Sequence, residues 1–157
     1  MQVVIYLILT WTFAAFFLFQ RKSLSLVENL FLFFFFLFIN KNVITMLSLN
    51  FSMIEYSKEP HLFICFWFQR TLVYPLLLLI FVNRVFEKSP IYKVGGVLLF
   101  IGIGILMELI SIKLEVITYT NWNFGWTFLI SIIYLCTTLG IAKAFRYFIL
   151  REGELKG

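Results

Sequence analysis

The sequence predicts an all-α membrane protein, a five-helix transmembrane bundle with its N-terminus outside and its C-terminus in the cytoplasm. Three observations predict it: an extreme apolar composition, five apolar segments of spanning length, and basic residues that fall on alternate connections. Of the 157 residues, 62% are hydrophobic and 13% charged, and the mean hydropathy is +0.97. A soluble domain carries about a quarter charged residues and about half apolar ones. A chain this short has too little interior to hide so much apolar surface, so lipid is the solvent that fits. Phe is the extreme case, with 21 copies, including the run 33–36.

The apolar segments run over about 3–19, 26–53, 61–82, 94–112 and 124–144. Each reaches or approaches the ~20 helical residues that cross a hydrocarbon core. Together they form a single transmembrane domain over residues 1–157, with no linker or internal repeat. The first segment lacks the basic start and small-residue cleavage site of a secretory signal. Its positive pair, Arg21 and Lys22, follows the apolar stretch, so it is expected to stay as a helix inserted N-terminus outward.

Orientation follows from charge. Arg21 and Lys22, then Arg84, Lys88 and Lys93, then Lys143, Arg146, Arg151 and Lys156 fall on one side of a five-span chain. The other side holds Lys58 and Lys113 among Glu55, Glu59 and Glu115. Cytoplasmic loops collect Lys and Arg, which also accounts for the net charge of +5 without nucleic acid. Trp122 and Trp126 open the fifth segment, and Tyr147 beside Arg146 closes it. Both places suit interfacial anchors.

Charged side chains inside a bilayer cost about 2.5–3.5 kcal/mol each at a helix centre, so Lys41, Arg70 and Glu108 are the first candidates for a site. Read along the predicted helices, they reach similar depth. A carboxylate paired with Lys41 or Arg70 lowers the burial cost of both; the alternative is that the two cations snorkel to the interface.

Polar residues recur at helical spacing. Lys41, Thr45, Ser48, Ser52 and Glu55 share one face of the second helix; Gly104, Glu108, Ser111 and Glu115 one face of the fourth; Thr127, Ser131, Tyr134 and Thr138 one face of the fifth. Arg70 and Tyr74 stand four apart on the third. Such stripes predict polar faces turned into the bundle, though small polar residues also simply join helices. The expected intramembrane cluster is therefore Lys41, Arg70, Tyr74, Glu108 and Ser111. A second group, Glu55, His61, Glu115, Tyr119 and Trp122, is expected at the outer interface.

Pro75 removes a helical hydrogen bond and should kink the third helix, freeing the Thr71 carbonyl for Thr71, Tyr74 or water. Gly95, Gly96, Gly102 and Gly104 should let the fourth helix approach a neighbour closely. Cys65 and Cys136 lack metal-type spacing, and one His excludes a bis-histidine haem. No cofactor or metal is implied.

Tyr74-Pro75-Leu76-Leu77, Asn83, Lys88-Ser89, Glu108, Glu115, Tyr119, Trp122 and Ser131 follow a recurring pattern. The last hundred residues or so, with Lys41 more loosely, thereby resemble an uncharacterised family of small multi-pass membrane proteins of spore-forming Firmicutes, of the Bacillus and Clostridium type. The resemblance implies a bacterial cytoplasmic membrane and picks out Glu108, Tyr119 and Trp122. It implies no activity.

Three functions compete. The first is a non-enzymatic subunit, sensor or assembly factor acting through helix contacts, with membrane lipids and a second copy or another membrane protein as partners. The second is a small oligomeric transporter or channel built on the Lys/Arg/Glu cluster. The third is a membrane enzyme acting on lipid or isoprenoid, with Glu108, His61 and Glu115 as acid–base groups. The chain contains no Asp, which removes the usual Asp-held Mg²⁺–diphosphate arrangement.

Overall fold

The computed structural model describes residues 1–86, 88 and 90–154. Ser89 and Lys156, named above, lie outside the described residues. The chain is mostly helical, and five helical stretches are long and apolar enough to cross a membrane. Helix α1 is Gln2–Phe19 and α2 is Leu26–Thr45, which widens into a π-helical turn at Met46–Asn50. The third stretch is composite: α3 (Pro60–Phe68), a π-helical segment (Gln69–Val73) and α4 (Tyr74–Val85). Helices α5 (Pro90–Lys113) and α6 (Phe124–Glu154) complete the bundle.

Two departures from the predicted segments have local causes. The second was expected to continue to 53, but its helix ends at Asn50, and Ser52 turns the chain with φ 49°. The chain then forms strand β1, Ile54–Tyr56, which pairs antiparallel with β2, Ile117–Tyr119. The register sets Ile54 against Tyr119 and Glu55 against Thr118. Ile54 and Ile117 point into the protein, as period-two alternation requires. Glu115, at φ 59°, makes the matching turn after α5. A non-glycine residue there costs about 1–2 kcal/mol, offset by the ladder and by Val116 N–H bonding to Ser111 O at 2.9 Å. The other departure is α6, which runs ten residues past its predicted end, through the basic residues Arg146 and Arg151.

The α3–α4 stretch is the centre of the bundle. Over half of its most apolar window is buried, against 6% for α1. Leu77, Leu78, Leu79 and Val82 pack with Leu32 and Phe36 of α2, Phe100 of α5 and Leu135 of α6. Of the four glycines expected to permit close approach, Gly96 does so: a Cβ there would stand 2.5 Å from Val85 Cγ1. Gly95 and Gly102 face open space.

At the end of the bundle opposite the sheet, a polar lock ties three elements together. Asn83 (1% exposed) accepts from Leu24 N–H at 3.1 Å, and its Nδ2 donates to Asn29 Oδ1 at 2.6 Å and Leu79 O at 2.9 Å. Ser25 caps α2 by a capping box with Glu28. Glu28 then receives Arg146 Nε at 2.8 Å and Nη2 at 3.3 Å, and the guanidinium lies 4.5 Å from the Phe86 ring. Asn83→Ala would strand the Leu24 N–H and the Asn29 amide oxygen, each at a cost of about 1–3 kcal/mol. We expect this variant to lower the unfolding midpoint in detergent clearly more than Asn42→Ala, whose exposed amide bonds Phe38 O within its own helix; equal midpoints would contradict the lock.

Candidate functional site

The site grows from Pro75. Just before it the helix widens, so that Tyr74 N–H reaches back to Gln69 O. The next donor in that wide register would be Pro75, which has no N–H. In that register the carbonyl of Arg70 loses its helical donor, in addition to the Thr71 carbonyl considered from α-helical register. Asn40 Nδ2 fills the gap at 2.9 Å. Asn40 is 3% exposed, and Tyr134 Oη lies 3.5 Å from its Oδ1.

This register turns the Arg70 side chain toward α5. Its Nη2 stands 3.8 Å from Glu108 Oε1, with the two side chains 11% and 7% exposed. The guanidinium also lies 4.9 Å from the Tyr74 ring and 5.8 Å from the Phe66 ring, within reach of cation–π attraction. The pair is longer than a hydrogen bond, and Arg70 Nε and Nη2 are buried without an acceptor.

Glu108 is better satisfied. Its Oε2 accepts from Tyr119 Oη and, at 2.6 Å, from Thr127 Oγ1. Thr127 in turn accepts from Trp122 Nε1 at 2.9 Å. Strand β2 exists in this position to carry Tyr119 over the carboxylate, and the start of α6 brings Thr127 and Trp122. Hydroxyl donors to an ionised carboxylate are among the stronger hydrogen bonds. Burial, the Glu108 charge and the bond to Glu108 together hold the Tyr119 phenol protonated well above its ordinary range.

The predicted cluster is thus divided. Arg70, Tyr74 and Glu108 meet; Tyr74 Oη also lies 3.4 Å from Gly104 O. Ser111 belongs to a neighbouring network, 2.6 Å from Tyr6 Oη and 2.8 Å from Gln69 Oε1. Lys41 stays apart: it is exposed and makes no ion pair among the described residues. It lies with Thr45 and Ser48 along a groove on the flank of α2 and α3. That polar stripe of α2 faces outward, not into the bundle as periodicity predicted, because the inward face is taken by Asn40, Ile44 and Leu47. The predicted outer group divides too. Tyr119 and Trp122 join Glu108, and Trp122 is buried (9% exposed), not an interfacial anchor; its neighbour Trp126 remains exposed. Glu55 and Glu115 are exposed, and the carboxylate near His61 is that of Glu59, at 3.6 Å.

Asn40, Gln69 and Tyr6 were not singled out from sequence, and Thr127 entered only as a member of the polar stripe on the fifth helix. Asn40 carries a usable signal, an amide in an apolar run within a few residues of Lys41. Tyr6 carries none, because one Tyr in an apolar helix has no spacing partner. A small cavity of about 40 Å³ lies among Asn40, Arg70, Tyr74, Glu108, Thr127 and Tyr134. It is roomy enough for water, which needs about 10–15 Å³ and two or more polar partners.

A phenol whose pKa is raised in the fold favours the folded state below the unfolded value, near 10. That contribution is lost as pH rises above it toward the higher folded value. Stability should therefore fall more steeply above about pH 10 in the wild type than in Tyr119→Phe, followed by thermal unfolding across alkaline pH. Parallel slopes would show that the fold does not raise the Tyr119 phenol.

No family model, curated protein or solved structure matches the chain.

Proposed function

We propose that this chain is an integral protein of the bacterial cytoplasmic membrane, N-terminus outside, working without catalysis as a subunit, sensor or assembly factor. Its partners are membrane lipids and a second copy or another membrane protein. The resemblance to the Firmicutes family carried by Glu108, Tyr119 and Trp122 supports the bacterial membrane. The charge distribution supports the orientation: Arg21, Lys22, Arg84, Lys88, Lys93, Lys143 and Arg146 gather toward the end opposite the sheet.

One observation carries the non-enzymatic reading. The Glu108 carboxylate, the best-placed acid of the bundle, has Oε2 committed to Tyr119 and Thr127 and Oε1 facing Arg70 at 3.8 Å. It joins the centre of the third stretch, the sheet, and helices α5 and α6. A group so bound organises helices; a general acid or base must be free to reach substrate. The exposed apolar flank of α1, with Ile8, Trp11, Phe16 and Leu18, is a surface for lipid or a partner helix.

A transporter or channel is the second reading, favoured by the small cavity, which shares Asn40 and Arg70 with the flank groove. Proteoliposomes that pass no ion or small solute would remove it.

Breaking a buried ion pair from one side costs about 3–5 kcal/mol. Glu108→Ala should therefore lower the thermal midpoint in detergent strongly, and Glu108→Gln, which keeps an acceptor for Tyr119 and Thr127, less so. Were Glu108 held in reserve for chemistry, its replacement would leave the midpoint unchanged or raise it. For topology, a C-terminal green fluorescent protein should fluoresce and a C-terminal alkaline phosphatase should stay inactive; the reverse pattern would invert the orientation.

A further inference from the structure

The groove on the flank of α2 and α3 has a volume of about 540 Å³, within the range of small-molecule sites. Its walls include Leu37, Phe63 and Trp67, and its polar groups include Lys41 and Arg70. Lys41 lies nine residues before Asn50, about 14 Å along the helix. That is close to the middle of a ~30 Å hydrocarbon core. The four-carbon stem of a lysine covers less than half of that distance. An exposed, unpaired ammonium at that depth needs a counter-charge, and among the described residues no side chain supplies one.

Arg70 poses the same problem from the other side of the groove. Glu108 stands off at 3.8 Å, and Arg70 Nε and Nη2 find no acceptor. Two cations and one carboxylate leave one positive charge uncompensated. We infer that the groove holds one long-chain carboxylate, a fatty acid whose head lies between Lys41 and Arg70 and whose chain runs along the aromatic wall. Three features select this occupant. The residual charge matches a monoanion. A guanidinium fork matches a carboxylate. A cavity of this volume holds one drug-sized molecule, hence one chain and not the two of a phospholipid. The outward stripe of Lys41, Thr45 and Ser48, which serves no helix contact, is accounted for as the polar edge of this site.

The inference rests on the membrane reading above, and the two can fail separately. Chain released from membranes by alkaline carbonate that still binds the fatty acid would end that reading and leave this one standing.

The test is equilibrium binding of radiolabelled palmitate to delipidated protein in neutral detergent, at mildly alkaline pH where the acid is ionised. Saturable binding of one palmitate per chain is expected, with hexadecanol a poor competitor. Lys41 and Thr45 are exposed, so Lys41→Gln and Thr45→Trp are built to keep the fold, checked by an unchanged thermal midpoint. Lys41→Gln should weaken binding about tenfold, as loss of one charge-assisted contact does, and Thr45→Trp should abolish it by filling the groove. The proposal is overturned if hexadecanol competes as well as palmitate, or if both variants bind like wild type. Tighter binding of hexadecyl phosphate than of palmitate would overturn the choice of a carboxylate.

Discussion

A carboxylate inside an apolar bundle must be supplied with partners, and the sheet end of this protein is arranged around that requirement. Glu108 is 5% exposed. An isolated carboxylate there would cost several kcal/mol to desolvate, more than many packing contacts return. Its partners come from distant parts of the chain: Arg70 from the third stretch, Tyr119 from the sheet, Thr127 from the start of α6. The short two-stranded sheet, with two non-glycine residues at positive φ flanking it, is understandable as the device that delivers Tyr119. The strain of those turns is small beside the cost of an unpaired acid.

Backbone irregularity does the rest of the positioning. Pro75 takes away one N–H, the helix before it widens, and the Arg70 carbonyl loses its helical donor. Asn40 answers that carbonyl. The same exchange ties α2 to the third stretch and sets where Arg70 points. π-helical turns recur at functional sites because they re-aim a side chain without ending the helix. Here the re-aimed side chain borders two spaces at once, the small cavity beside Glu108 and the flank groove.

The two ends of the bundle solve the polar problem differently. At the Asn83 end every polar group of the lock has a close partner: amide to amide, capping box to arginine. At the sheet end the carboxylate is satisfied while Arg70 is left short. A buried cation with unused donors is where a binding partner has most to gain. The contrast separates a lock from a site.

The apolar runs alone determined the helix number, since spanning length and composition are local properties of each segment. The pairing of Arg70 with Glu108 was half legible: depth along each helix brought them level, but so did it Lys41, which the structure turns outward. Depth is readable from residue count; rotation about the helix axis is not, because a lipid-like surround imposes no polar–apolar contrast that would reveal the outward face. Ser111 and Glu108 share one stripe yet join different networks for the same reason. The sheet was invisible: three-residue strands beside long apolar helices leave no periodicity to detect. Asn40 as the partner of the Arg70 carbonyl, Trp122 as a buried donor, and the division of the outer group were decided only by tertiary packing. Asn40 and Arg70 stand 30 positions apart; Tyr119 and Glu108, and Trp122 and Thr127, are only 11 and 5 apart but meet across a turn or a helix start, and no local periodicity encodes such contacts.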